Sequence, residues 1–299
     1  MKHTFGSCEI CGANNWSEIY TGPIRDGAFG SLLPDASIAR CAFCQADRLA
    51  EACCPSGEIY ESEAYRAKLK EALDTQGYYT VSDPLQIFNN EVLHGYSLRG
   101  KTVADVGCGG GSFLDHVAGI AERCIAIEPA KIYQESLRHR GYDVYSYVSE
   151  AGALAGQVDC CVSIQVIEHV LDPRGFLTDM SSLLKPDGIA VISTPNRNDI
   201  LMSLLPADYP SFFYRAVHRW YFDRDSLARC AALAGFQVVE ARHIHRYGMA
   251  NALRWLRDSK PTGAAREATI TPMADGFWKI YLEAEGLSDC LYMVLRKAG

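Results

Sequence analysis

From residue 99 onward, short apolar runs alternate with amphipathic stretches, and this alternation predicts a layered α/β sheet. The run 102–106 contains Val103, Ala104 and Val106, the continuous apolar character of a strand covered on both faces. Asp105 interrupts it near its C-terminal end. Gly107, Gly109, Gly110 and Gly111 follow and remove side chains where the backbone must turn. Ser112 is the expected N-cap of a helix carrying Phe113, Leu114 and Val117. Residues 125–128 read as a second strand ending on Glu128, residues 132–138 as a helix and residues 142–147 as a third strand. The run 158–164 suits a central fourth strand, residues 176–184 a helix, residues 185–188 a turn and residues 189–193 a fifth strand. A helix with acidic residues in its first turn opens at 222–227 and runs to Gly235, and strands at 237–241 and 290–295 close the series. The expected fold class is α/β, a doubly wound, mostly parallel sheet. In such sheets ligands sit beyond the carboxyl ends of the strands, so the glycine turn marks the binding crevice.

The glycine spacing narrows the ligand. A dinucleotide fingerprint starting at Gly107 requires glycine at 112, where Ser112 stands, and the Gly-Lys-Ser/Thr of a phosphate-binding loop is absent. What remains is Asp105-x-Gly107-x-Gly109-x-Gly111, with Glu128 placed 21 residues after Gly107 to accept both hydroxyls of a ribose. Here the chain resembles the class I S-adenosylmethionine-dependent methyltransferases, whose first motif has this form. The resemblance covers roughly residues 100–245 and includes Gln165-Val-Ile-Glu-His-Val170, Leu184-Lys-Pro-Asp-Gly188, Tyr221-Phe222, Ser226-Leu227 and Ala234-Gly235-Phe236. It implies a Rossmann-like fold and S-adenosylmethionine bound by Asp105, Gly107, Gly109, Gly111, Glu128 and Gln165.

The N-terminus carries different chemistry. Cys8-x-x-Cys11 and Cys41-x-x-Cys44 are two knuckles separated by 29 residues, and four thiolates satisfy a closed tetrahedral Zn²⁺ site that folds the segment rather than catalysing. A small sheet is expected to fill the loop between them. The domain plan is a zinc ribbon over 1–60, a helical lid or linker over 61–98, and a methyltransferase domain over 99–299 with an aromatic-rich insertion near 200–222. A ribbon before such a core resembles bacterial methyltransferases of modified sugars, capsule and natural products. The additional C-terminal domain usual in the sugar C-methyltransferases exceeds what 299 residues hold.

Charge and cysteine usage limit the setting. The chain is 48% hydrophobic and 22% charged with net charge −7, and residues 1–60 hold four Lys/Arg against seven Asp/Glu, so no basic footprint for nucleic acid is present. No apolar run approaches the roughly 18 residues of a membrane span, and the Lys2-His3-Thr4 start lacks a secretory core. Twelve cysteines, including adjacent Cys53-Cys54 and Cys160-Cys161, read as reduced thiols, which predicts a cytoplasmic protein without membrane partners. Oligomeric state is left open.

Within the methyltransferase reading, His169 is the expected base for an acceptor hydroxyl and Glu168 its orienter. Ubiquinone-type O-methyltransferases carry Glu where this chain has Gln165, and a neutral side chain there predicts a metal-independent site. Seven aromatics between Tyr209 and Phe222 are interleaved with Arg215, His218 and Arg219, and Tyr214, His218, Arg219 and Tyr221 are the expected acceptor contacts. Tyr65, Tyr78, Tyr79 and His94 lie on helices expected to close over the cofactor, and residues 258–276 read as a mobile connection. The expected reaction is O-methylation of a small polar metabolite, a nucleotide-linked sugar or a capsule or natural-product precursor. An RNA methyltransferase and a non-catalytic cofactor-binding scaffold are the alternatives.

Overall fold

The computed structural model describes residues 4–63, 67–68, 75–260 and 269–298. Tyr65 and residues 261–268 of the expected connection lie outside them. In chain order the main elements are β1 (Trp16–Arg25), β2 (Leu32–Cys41), β3 (Asp47–Leu49), α1 (Thr75–Ser82), α2 (Gln86–Leu93), β4 (Thr102–Val106) and α3 (Ser112–Val117). There follow β5 (Arg123–Ile127), α4 (Lys131–His139), β6 (Asp143–Tyr145), β7 (Val158–Ile164), α5 (Pro173–Leu183), β8 (Leu184–Pro195), α6 (Ile200–Leu204) and α7 (Pro210–Phe213). The chain closes with β9 (Trp220–Tyr221), α8 (Arg224–Leu233), β10 (Phe236–Ile244), α9 (Met249–Asp258), α10 (Pro272–Ala284) and β11 (Cys290–Lys297).

Among the described residues the strands form two sheets. The larger has the order β10-β11-β8-β7-β4-β5-β6, with β4 to β8 parallel and β11 antiparallel to both neighbours. The strand order reverses beside β4, where β5 departs to one side and β7 to the other, so β4 delivers its C-terminal turn into the crevice. One apolar cluster lies on each face of this sheet. Ala104, Ile125 and Cys161 belong to the first, and Val103, Ala126 and Cys160 to the second. Adjacent buried residues thus serve opposite faces, as the twofold alternation of a strand dictates.

The smaller sheet holds β1-β2-β3 and, unexpectedly, β9 from beyond the core strands. Its hairpin β1–β2 fills the interval between the two cysteine knuckles. The joint is anchored at both ends. Leu49 N–H donates to Arg219 O at 2.9 Å, while the N–H groups of Arg219 and Trp220 donate to Glu168 O at 2.7 and 3.1 Å. Arg48 pairs with Glu9 and Glu51, Arg219 with Glu51, and Arg197 with Asp47 and Asp223. A third apolar cluster, with Ile24, Ile38, Tyr209, Phe213, Tyr221 and Trp255, fills the space between this sheet, the aromatic insertion and α9.

Two local expectations are corrected. Gly111, at φ 86°, occupies the N-cap of α3, so Ser112 is the first helical residue and its hydroxyl donates to Asp83 Oδ1 at 2.6 Å. A left-handed cap position favours glycine, which freed Ser112 for a tertiary bond. Residues 185–188 form no separate turn. They belong to β8, which starts at Leu184 directly after α5, and a β-carbon at Gly188 would sit 3.0 Å from Val158 O. Glycine there lets β8 approach β7 at the register irregularity between Val158 and Cys160.

Candidate active site

A cavity of about 1100 Å³ opens beyond the C-terminal ends of β4, β5 and β7. Its floor is the turn after β4. Gly107, Gly109 and Gly111 have φ of 78°, 54° and 86°, which glycine adopts without strain. A β-carbon at Gly107 would lie 2.4 Å from Val166 Cγ2, and one at Gly110 would lie 2.5 Å from the Tyr78 ring. The backbone is therefore bare on the ligand side because neighbours crowd it. Helix α1 crosses above, and Tyr78 and Tyr79 donate hydroxyl hydrogen bonds to Cys108 O at 3.1 Å and Gly110 O at 3.2 Å.

Two carboxylates face this floor. Glu128 accepts from Gly109 N–H at 2.7 Å through Oε2 and from Ala130 N–H at 2.8 Å through Oε1, which fixes the carboxylate. Asp105 is buried, and burial, followed by the charge of Glu128, pushes its carboxyl up to about 8. A dry pair of acids beside a bare main chain suits a ligand bearing hydroxyls and positive charge.

The opposite wall comes from the turn after β7. Gln165 takes a left-handed φ of 57°, and its side-chain amide donates to Ser193 Oγ at 3.2 Å. Non-glycine residues in that region are strained, and such residues concentrate at functional sites. His169 Nδ1 lies 2.8 Å from Val217 O. A carbonyl only accepts, so Nδ1 carries the proton and Nε2 is the accepting nitrogen. Tyr60 braces this arrangement with its hydroxyl 3.0 Å from Val217 O and 3.2 Å from Nδ1. Glu168 is buried with Oε1 3.9 Å from His169 Nε2, and burial pushes its carboxyl up to about 7. Its Oε2 has no hydrogen-bond partner among the described residues.

The His218 ring packs edge-on against His169 at 4.7 Å, and burial, then the charge of His169, holds His218 well below the usual histidine range. Glu168, His169 and His218 each bring a donor atom within 4.8 Å of the other two, close enough to share a cation. The expectation of metal-independence thus rests on the neutrality of Gln165 alone and meets a donor set that spacing did not suggest.

The chain region similar to known proteins supplies the floor and much of the wall of this cavity. Residues 68–241 match the family model described as a methyltransferase domain. The chain belongs to the class I S-adenosylmethionine-dependent methyltransferases. Ubiquinone biosynthesis O-methyltransferase of Thiobacillus denitrificans is 31% identical over 157 residues, 48% of this chain and 67% of that protein. The protein of the same name from Dinoroseobacter shibae is 30% identical over 156 residues, 48% of this chain and 63% of that protein. The match therefore spans about two thirds of the length of these curated relatives. A methyltransferase structure from Archaeoglobus fulgidus is 17% identical with TM-score 0.49, covering 74% of this chain and 96% of that one. The methyltransferase fold, its enzymatic class and its S-adenosylmethionine dependence stand on the family match.

Within the methyltransferase, Asp105, Gly107, Gly109, Glu128, Gln165, Glu168, His169, His218 and Arg219 all line the one cavity, whereas Gly111 stands behind it against Leu137. Two expected acceptor contacts do not line it. Tyr214 and Tyr221 are buried in the third apolar cluster with ring centroids 4.8 Å apart, and Tyr221 holds Arg215 N–H and C=O through its hydroxyl at 2.8 and 3.0 Å. They are corrected to core residues, because apolar area outweighs a single polar tip unless a ligand competes for it. Arg219 faces the cavity but is committed to Glu51 and Pro55 O. Sequence reasoning overlooked Tyr60, Arg246 and Tyr292 on the cavity wall and Arg25 in the adjoining chamber. None stands in a motif, and only the fold brings them in.

At the N-terminus, Cys8 Sγ lies 3.6 Å from Cys44 Sγ, and Cys11 Sγ 3.6 Å from Cys41 Sγ, with all four sulfurs within 4.8 Å of one another. Tetrahedral Zn–S bonds of about 2.3 Å set S···S separations near 3.8 Å, so the donor set fits Zn²⁺. The cysteines form no disulfide. No helix among the described residues is long and apolar enough to cross a membrane.

Proposed function

We propose that this methyltransferase transfers a methyl group to a hydroxyl of a small metabolite, with His169 as general base, Glu168 as its positioning partner and the four N-terminal cysteines holding a structural Zn²⁺. The observation carrying this reading is the placement of His169 Nε2 and buried Glu168 on the wall of the cavity floored by the glycine turn. The Asp105 and Glu128 carboxylates and the glycine backbone would hold S-adenosylmethionine, which when bound would supply a methyl activated on sulfonium sulfur, with a neutral thioether as leaving group. The chain's own work is alignment and proton removal. Val217 O fixes the tautomer of His169, so Nε2 accepts the hydroxyl proton as the oxygen forms its bond to carbon. The resulting imidazolium lies between Val217 O and the Glu168 carboxylate, a placement that favours its charge. Helix α1 and Tyr60 cover part of the cavity through the hydrogen bonds of Tyr78 and Tyr60 to Cys108 O and Val217 O.

Neither relative named above carries a sugar or capsule role in its name, so the nucleotide-sugar acceptor rests on the resemblance of the ribbon alone. The acidic net charge of −7 disfavours RNA as the acceptor. The test is release of S-adenosylhomocysteine across a panel of hydroxylated metabolites. Replacing His169→Ala is expected to lower kcat by roughly 10²–10⁴-fold at unchanged cofactor affinity. A kcat within a few fold of the parent would remove His169 from the role of base.

A further inference from the structure

A second chamber of about 350 Å³ adjoins the cofactor cavity, and Gln165, Arg215, His218 and Arg246 line both. Its composition is unusual for an acidic protein. Arg25, at the end of β1, and Arg215 are joined through their backbones, with Arg25 N–H donating to Tyr214 O at 3.0 Å and Ala216 N–H to Arg25 O at 2.9 Å. Two guanidinium side chains therefore leave neighbouring backbone positions and enter the same space. The Nε atoms of both are buried without a hydrogen-bond partner, and neither guanidinium is ion-paired with a carboxylate among the described residues. Burial, and then the charge of Arg215, holds Arg25 down at about 10.

The carboxylates of the chamber do not answer these charges. Asp289 is taken by Arg246 through Nε at 2.6 Å and the backbone N–H at 2.7 Å. Asp199 accepts from Leu201 N–H and the Tyr209 hydroxyl, and its carboxyl is pushed up to about 7 by burial. Glu168, on the wall of the cofactor cavity, acts on Arg215 only through space, so the two half-buried like charges lack a paired carboxylate in the chamber. Such an arrangement is costly, and planar forks of this kind match carboxylate and phosphate. One side of the wall is aromatic, with Tyr209, Phe212 and Trp255 packed at centroid distances of 4.9–5.7 Å and Arg25 over Phe212 at 4.2 Å, beside aliphatic Ile200, Leu201 and Ala252.

We propose that this chamber is the anion pocket of the acceptor site. A carboxylate or phosphate on the acceptor sits between Arg25 and Arg215, its flat apolar part lies among Tyr209, Phe212 and Trp255, and its hydroxyl reaches His169 through the shared wall. This rests on the methyltransferase reading above and deepens it by naming the acceptor class, a compact hydroxylated ring bearing an oxyanion.

The test is calorimetry on the full chain with S-adenosylhomocysteine present. The probes are 4-hydroxybenzoate, its neutral isostere 4-hydroxybenzamide, and uridine diphosphate. The expected result is binding of at least one anion, with 4-hydroxybenzamide at least about ten-fold weaker than 4-hydroxybenzoate where the carboxylate is the ligand. Preference for uridine diphosphate instead assigns phosphate as the anion. Arg25→Gln and Arg215→Gln are expected to weaken the bound anion about ten-fold or more, with Arg25→Lys intermediate because it keeps charge but loses the fork. If those variants unfold, the comparison of anion with amide in the parent protein still decides. Equal binding of amide and benzoate without uridine diphosphate binding, or no anion binding at all, overturns the proposal. Failure of S-adenosylhomocysteine itself to bind overturns the methyltransferase reading beneath it.

Discussion

Asp105 concentrates the electrostatics of the cofactor site in one side chain. Its folded-state carboxyl titrates near 8 against an ordinary value of 3.8, chiefly because it is buried. The folded protein therefore holds a proton that the unfolded chain releases, and stability falls as pH rises from about 4 towards 8. A cationic cofactor favours the ionised form, so its affinity should increase over the upper part of the same window. Asp105→Asn is expected to flatten both slopes and to weaken cofactor binding at least about ten-fold, while zinc content stays near one per chain. Denaturation midpoints and S-adenosylmethionine calorimetry at several pH values check this, and unchanged slopes in the variant would disprove the assignment. Asp105, Glu128 and the four N-terminal cysteines could be picked out in the sequence because each sits in a local pattern of characteristic spacing. Tyr214 and Tyr221 were misread because aromatic composition does not say which side of a segment faces ligand. Arg25 was invisible because its partner in the chamber stands 190 positions away.

The turn from β4 into α3 illustrates how one element is constrained from two directions. Gly107 and Gly235 share a left-handed φ, 78° and 81°, but a β-carbon at Gly107 meets Val166 while one at Gly235 meets nothing within 4 Å. Gly235→Ala should therefore cost about 1 kcal/mol for conformation alone. Gly107→Ala adds a clash with a buried wall residue, and a loss of about 3 kcal/mol is expected. Urea denaturation of the two variants separates these contributions, and equal losses would show that Val166 yields freely. Strands β4, β5 and β7 were readable as elements because apolar runs bounded by turn residues have few alternatives. The start of β8 was not. Lys185, Pro186 and Asp187 carry the composition of a turn, and pairing with β7 overrode it.

At the scale of the whole molecule, the N-terminal ribbon and the methyltransferase core share a sheet through β3 and β9, and β1 ends on Arg25 in the chamber beside the cofactor. The Zn²⁺ proposed for the four cysteines would therefore have reach beyond its own knuckles. Removing it with a thiol-competent chelator is expected to lower Tm by several degrees and to weaken 4-hydroxybenzoate binding, while S-adenosylhomocysteine affinity changes little. Loss of both affinities together would mean that the core depends on the ribbon for its fold, and loss of neither would detach the ribbon from the acceptor site. By itself the sequence determined the alternation of strands and helices, the glycine turn with its two acids, and the two cysteine knuckles, because these depend on neighbours within a few residues along the chain. Only the tertiary structure decided that β9 completes the ribbon sheet, that Tyr60 and Val217 orient His169, and that Arg25 and Arg215 face one chamber. Those contacts join segments far apart in the chain, and burial and hydrogen-bond geometry in the folded protein select them where local periodicity has no preference.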